Sequence, residues 1–162
     1  MAGYTDTAFR SLCKEQGAAL TYTEMISAKA LYYKNKNTKP LLLTADNEGP
    51  VVLQLFGNEP ELLAEEAARL EDGPYDIFDV NMGCPVPKVV RNGDGSALMR
   101  DPHLVFEIVK AVSSATQKPV TVKIRKGFES GDRSAVEVAL AAQVLVYPCT
   151  DLMGVYTHKV DD

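Results

Sequence analysis

Tryptophan is absent, and only two histidines, His103 and His158, occur in the 162 residues. That supply of imidazole argues against a zinc centre built on histidine ligands, and no metal is expected. Cysteine is scarce as well. The three present are far apart and odd in number, which gives neither a disulfide framework nor a metal-ligand pair. Such usage points to a reducing, cytoplasmic setting. No apolar run is long enough to cross a bilayer and no secretory leader is visible, so no membrane partner is expected. An excess of basic charge is missing too. With a formal net charge of −5, a nucleic-acid partner would have to meet a local basic patch.

What is present is the balance of an ordinary globular domain, 46% hydrophobic and 24% charged, in a length that suits one domain. Thr5 reads as a helix N-cap with Asp6 in the first turn, ahead of Phe9, Leu12, Cys13 and Gln16 at helical spacing. Cys13 lies on that apolar stripe and is expected in the core. Ala18 to Tyr22 is a strand candidate with Thr23-Glu24-Met25 as its exit, followed by a helix over Ser27–Tyr33. Leu41-Leu42-Leu43 is a small apolar piece before the turn Asp46 to Pro50. Val51 to Gly57 is a clear strand with one polar intruder, Gln54. Pro60 opens an amphipathic helix that ends near Gly73, and a central strand runs from Tyr75 to Val80. Asp101-Pro102 then caps a helix, Pro119 to Arg125 is a strand, Ser134 to Gln143 a helix, and Val144 to Tyr147 a last strand.

Five short strands alternating with helices call for a parallel α/β sheet with right-handed crossovers. Five cannot close a (β/α)8 barrel, so the chain is either an open doubly wound sheet or part of a barrel.

The segment from Asp79 to Ala97, DVNMGCPVPKVVRNGDGSA, holds the most informative pattern. A β-branched run ends in Asn-Met-Gly-Cys-Pro, a stiff turn that presents a thiol at a strand end. A lone cysteine is more often a small buried hydrophobe than a catalyst. Here, however, polar residues gather at successive strand ends: Glu24, Gln54, Asn81 with Cys84, then Lys123 and Arg125. Ligands bind at such carboxyl ends in α/β sheets and barrels. Gly93-Asp94-Gly95-Ser96 reads equally as an anion-cradling loop or as a plain turn. Lys88 and Arg91, with Lys123, Arg125 and Lys126, are either a cationic patch or a solvated face.

MAGYTDTAFR, TEMISAKAL, VVLQLFG, DVNMGCPVPKVVRNGDGSALM and VTVKIRKG, in this order, resemble the tRNA-dihydrouridine synthase family over roughly Met1 to Leu140. The resemblance implies an FMN-dependent TIM (β/α)8 barrel enzyme that reduces uridine in tRNA to 5,6-dihydrouridine, with NADPH reloading the flavin. By position, Cys84 matches the general acid that protonates the uracil at C5. Met1 and Ala2 match a flavin-contacting Pro-Met-Ala whose proline is missing here. Gln54 matches the residue at the flavin pyrimidine edge, Asn81 the asparagine at flavin and uracil, and Lys123 the cation near flavin N1/O2. Lys88, Arg91 and Arg125 match basic positions that meet the tRNA.

Departures from the family pattern sharpen the expectation. The resemblance starts after the family's first strand, so residues 1–162 read as a truncated FMN-binding catalytic barrel, roughly strands 2–6, without the C-terminal helical tRNA-binding domain. The sixth-strand motif is replaced by Val146 to Asp151, and a local frame disturbance over 146–153 would explain it. A chain lacking the last barrel strands is expected to bind FMN weakly or not at all. Two other readings stay open: an FMN barrel of the dihydroorotate dehydrogenase kind, and a non-catalytic fragment.

Overall fold

In the computed structural model, residues 3–129 and 131–143 are described. Met1 and Ala2, the strand expected over 144–147 and the altered stretch 146–153 lie outside the described residues. The helices are α1 (Thr7–Glu15), α2 (Ala28–Tyr32), α3 (Pro60–Arg69), α4 (Pro87–Arg91), α5 (Pro102–Ala115) and α6 (Ala135–Gln143). The strands are β1 (Thr21–Tyr22), β2 (Ile26–Ser27), β3 (Val51–Phe56), β4 (Ile77–Asn81) and β5 (Val120–Lys123), with 3-10 turns over Lys36–Leu42 and Gly95–Arg100. Among the described residues, no helix is long and apolar enough to cross a membrane.

All pairings are parallel, and the sheet order β1-β3-β4-β5 follows the chain without reversal, β2 also pairing with β3. A doubly wound sheet reverses strand order at its switch point. The absence of reversal among the described strands therefore favours a barrel segment. The two faces say the same. Leu53, Leu55, Phe78, Val80 and Val120 join Leu63 and Ala67 of α3 and Val105, Ile108 and Val112 of α5 in one apolar cluster. The alternate residues on the strands carry the polar groups: Gln54 is opposite Asp79, Asp79 opposite Thr121, and Asn81 opposite Lys123. Side chains of successive residues point to opposite faces, so one face packs helices and the other faces the lumen. This is an α/β fold of parallel strands and helices consistent with part of a TIM barrel.

Local capping follows the sequence in one place and departs from it in another. Asp101 caps α5 by accepting from the Leu104 amide at 3.0 Å, with Pro102 at the first turn. At α1 the cap is Asp6, accepting from the Phe9 amide at 2.8 Å, rather than Thr5. The reason lies some twenty residues along the chain: the Thr5 amide and hydroxyl both donate to the Glu24 carboxylate, at 2.7 and 3.0 Å.

The apolar stripe of α1 also differs from the expectation. Phe9 and Leu12 are 49% and 58% exposed and Cys13 is only partly buried. The buried residue of this helix is Arg10. Its guanidinium donates to Glu48 at 2.8 Å, to the Leu43 carbonyl at 2.7 Å and to the Thr5 carbonyl. A polar anchor, not an apolar face, holds α1 to the described fold.

The first strand is interrupted rather than ended at Tyr22. β1 places Tyr22 opposite Val52, and β2 places Ile26 opposite Leu55, so the three residues 23–25 face only the two residues 53–54. One extra residue is a bulge, which re-aims the side chains around it.

Candidate active site

Four side chains of β3, β4 and β5 form a connected polar group on the lumenal face. Gln54, Asp79 and Asn81 are each less than a tenth exposed. Thr121 Oγ1 donates to Asp79 Oδ1 at 2.6 Å, and Gln54 Nε2 donates to Asp79 Oδ2 at 2.7 Å. Asn81 Nδ2 donates to Gln54 Oε1 at 3.0 Å. Asn81 Oδ1 in turn accepts from the amides of Gly83 and Cys84, at 3.1 and 2.9 Å. The order of donors is forced from one end: backbone N–H groups only donate, so Asn81 must present its oxygen to them and its nitrogen to Gln54. Gln54 must then offer its nitrogen to Asp79, which accepts.

Cys84 is held by its backbone on both sides. Its amide is bound by Asn81, and its carbonyl accepts from the Ser96 amide at 3.0 Å. The Ser96 bond explains the glycine-rich turn. Gly95 has φ +59°, and a Cβ there would lie 2.7 Å from the Cys84 carbonyl oxygen and 3.1 Å from its Cβ. Gly95 and Ser96 thus pack on the cysteine turn, while the amides of Gly93 and Asp94 turn back to the carbonyls of Val90 and Val89. The side chain of Cys84 itself is partly exposed.

Lys123 follows Asn81 across the β4–β5 pairing, and its ammonium makes no ion pair within 4.0 Å among the described residues. Burial pushes the Asp79 carboxyl above the usual aspartate range, while hydrogen bonds from Thr121 and Gln54 and the charge of Lys123 pull it part of the way back.

Glu24 stands apart from this group. Its carboxylate accepts from the amides of Gly3, Tyr4 and Thr5 at 2.8, 3.0 and 2.7 Å. Desolvation would raise its pKa, yet these hydrogen bonds together hold it below the usual glutamate range. It ties the chain ahead of α1 to the bulge.

The basic residues separate. The Arg125 guanidinium donates to the Gly83 carbonyl at 3.2 Å and so braces the Asn-Met-Gly-Cys-Pro turn. Lys88 and Arg91 are exposed on α4 and take no part in the polar group. Lys88 instead lines a cleft of about 610 Å³ with Ser27, Lys29, Phe56, Asn58 and Asp94. Burial raises the Asp94 carboxyl, with Lys29 opposing and Glu59 reinforcing the shift.

Of the residues singled out in the sequence, Gln54 and Asn81 are joined, the Cys84 amide is bound to Asn81 and Lys123 is opposite Asn81, whereas their partners Asp79 and Thr121 were not singled out. One signal was available: a carboxylate inside the wholly buried run Ile77–Asn81 needs hydrogen-bond donors from a neighbouring strand. Among the described residues no cluster of three or more histidine, cysteine, aspartate or glutamate side chains could hold a metal ion.

Residues 1–145 match the family model described as dihydrouridine synthase (Dus). A protein named probable tRNA-dihydrouridine synthase from Treponema pallidum is 43% identical over 148 residues, 88% of this chain and 44% of that protein. The protein named tRNA-dihydrouridine synthase B from Shewanella oneidensis is 42% identical over 144 residues, and its Pseudomonas aeruginosa namesake 40% over 143, each across 88% of this chain. The chain spans less than half the length of these curated relatives, 43–44% of each. With a lumenal row of amides leading to a cysteine turn and a family model matched over residues 1–145, the chain belongs to the dihydrouridine synthase family.

Proposed function

We propose that these residues form the flavin-facing and uracil-facing wall of a tRNA-dihydrouridine synthase, with FMN as resident cofactor and NADPH as reductant. The observation that carries this reading is the bonded row from Gln54 through Asn81 to the Cys84 turn, with Lys123 next in register. The donor set suits a flavin. Gln54 commits one amide hydrogen to Asp79 and one lone-pair direction to Asn81, which leaves one donor and one acceptor for a ring edge of alternating carbonyl and imide groups. Lys123 is a cation without an ion-pair partner among the described residues, suited to the side of the ring where negative charge collects on reduction.

Reduced FMN would supply a hydride to C6 of the uracil. The chain's own part is to deliver the balancing proton to C5, and Cys84 Sγ–H is the donor. Proton transfer from a positioned group is worth about 10²–10⁴-fold. Backbone bonds to Asn81 and Ser96 fix the turn while leaving the thiol side open. The target base must leave its stack to reach such a wall. Lys88, Arg91 and the unused donors of Arg125 are the candidates for the RNA backbone, and Met1 and Ala2 for further flavin contact.

The test is a hybrid in which residues 1–143 replace the matching part of the Shewanella oneidensis relative. It should form dihydrouridine in transcript tRNA with FMN and NADPH. Cys84→Ala in the hybrid should lower turnover by about 10²-fold or more while flavin stays bound. A flavin-loaded hybrid whose turnover is indifferent to Cys84→Ala would overturn the reading.

A further inference from the structure

We propose that Asp79 is a positioning residue for the Cys84 turn, acting through Gln54 and Asn81 without touching the cysteine. The inference rests on the reading of Cys84 as the proton donor and extends it to a buried acid two strand positions before Asn81. Three facts carry it. Asp79 is 2% exposed, and its two oxygens accept from two different strands, β3 through Gln54 Nε2 and β5 through Thr121 Oγ1. The Gln54 amide has only two orientations, and an acceptor at Asp79 selects the one that turns Oε1 toward Asn81 Nδ2. Asn81 then has its oxygen fixed on the Gly83 and Cys84 amides.

Without an acceptor at position 79, the buried Gln54 Nε2 loses its partner, and only Asn81 Nδ2 still holds the amide in place. A Gln54 that shifts toward a new partner draws its Oε1 away from Asn81 Nδ2, and Asn81 is then held only through its oxygen. The geometry of the cysteine turn thus depends on an acid with which it shares no contact. Other buried acids of the described fold do not have this property. Glu48 is taken up by Arg10, and Glu66 by Arg69.

The prediction concerns the reactivity of Cys84 and needs neither flavin nor RNA, so its failure is separable from failure of the proposed activity. The 162-residue chain is alkylated with iodoacetamide, and the Cys84 and Cys13 peptides are followed separately by mass spectrometry. Asp79→Ala should speed Cys84 alkylation on the order of two- to tenfold, the size of one net hydrogen bond, and leave Cys13 unchanged. Asp79→Asn, which keeps an acceptor for Gln54, should restore the original rate. In an Asn81→Ala background, Asp79→Ala should add nothing further, because the path runs through Asn81. Thr121→Val, which preserves shape and removes one donor to Asp79, should move Cys84 in the same direction by less.

An unchanged Cys84 rate in folded Asp79→Ala would overturn the proposal. So would additive effects of Asp79→Ala and Asn81→Ala. Should Asp79→Ala unfold, both cysteines rise together and Thr121→Val decides: a selective rise at Cys84 supports the proposal, and no rise overturns it.

Discussion

Two buried carboxylates, Asp79 on β4 and Glu48 ahead of β3, solve the same problem in opposite ways. Glu48 meets a charge: one oxygen is paired with the Arg10 guanidinium at 2.8 Å, while its Oε1 has no hydrogen-bond partner among the described residues. Asp79 meets no charge directly. It is held by two neutral donors, a hydroxyl and a carboxamide, and both of its oxygens are occupied. The first arrangement fastens segments together, since Arg10 also grips the carbonyls of Thr5 and Leu43. The second orders a chain of amides that ends at the backbone of Gly83 and Cys84. An ion pair fixes where elements sit; a directed chain of neutral groups fixes which way a particular amide faces. The second is what a site requires.

The contrast can be broken most strongly at the ion pair. Arg10→Ala leaves Glu48 buried without its cation and should cost about 3–5 kcal/mol, read as a drop in urea midpoint. Arg10→Met together with Glu48→Leu should recover most of that loss, because an apolar pair carries no stranded charge. A double variant as unstable as the single one would show that the pair does more than neutralise itself.

Next in size is Gly95→Ala. The backbone there is left-handed and the new Cβ would press on the Cys84 carbonyl, so a loss of about 1–3 kcal/mol is expected. Faster Cys84 alkylation should accompany it. Loss of stability with no change at Cys84 would place the role of Gly95 in folding alone.

The acid of the amide chain has a pH signature. Its carboxyl titrates above the ordinary aspartate value in the folded protein. Between that ordinary value and the raised one, the folded chain keeps a proton that the unfolded chain has released, so stability falls as pH rises through the interval. Asp79→Asn should flatten this slope in a series of urea midpoints. Glu24 has the opposite sign: its lowered carboxyl contributes above the unfolded value and loses that contribution as pH falls through the folded one. Protection factors at the Gly3, Tyr4 and Thr5 amides, taken relative to the intrinsic exchange rate at each pH, should therefore fall on acidification. The smallest effect is expected at Lys29–Glu59, both half or more exposed, where Glu59→Gln should leave the melting temperature unchanged.

The strands were legible because Val51–Phe56 and Ile77–Asn81 are apolar runs bounded by turn residues, and so was the gathering of polar groups on neighbouring strands, where Gln54 and Asn81 are joined. What stayed hidden depends on partners far along the chain. Thr5 is a good cap in isolation, and nothing nearby reveals that Glu24 claims it. The stripe of Phe9 and Leu12 is visible as a pattern, but exposure depends on what lies opposite, which no local pattern contains. Asp79 looked like the edge of a motif, and only the pairing of β4 with β3 and β5 identifies it as the point where two strands are tied.

The interrupted first strand has a consequence for how this scaffold tolerates change. Because 23–25 hold one residue more than the stretch they face, shortening that segment by one would make the edge regular. The regular edge would be the poorer one. Period-two alternation would swing the Glu24 carboxylate to the other surface, and the amides of Gly3, Tyr4 and Thr5 would lose their shared acceptor. Tidying the ladder there would cost the arm its carboxylate anchor and leave the Arg10 bond at Thr5 to hold it.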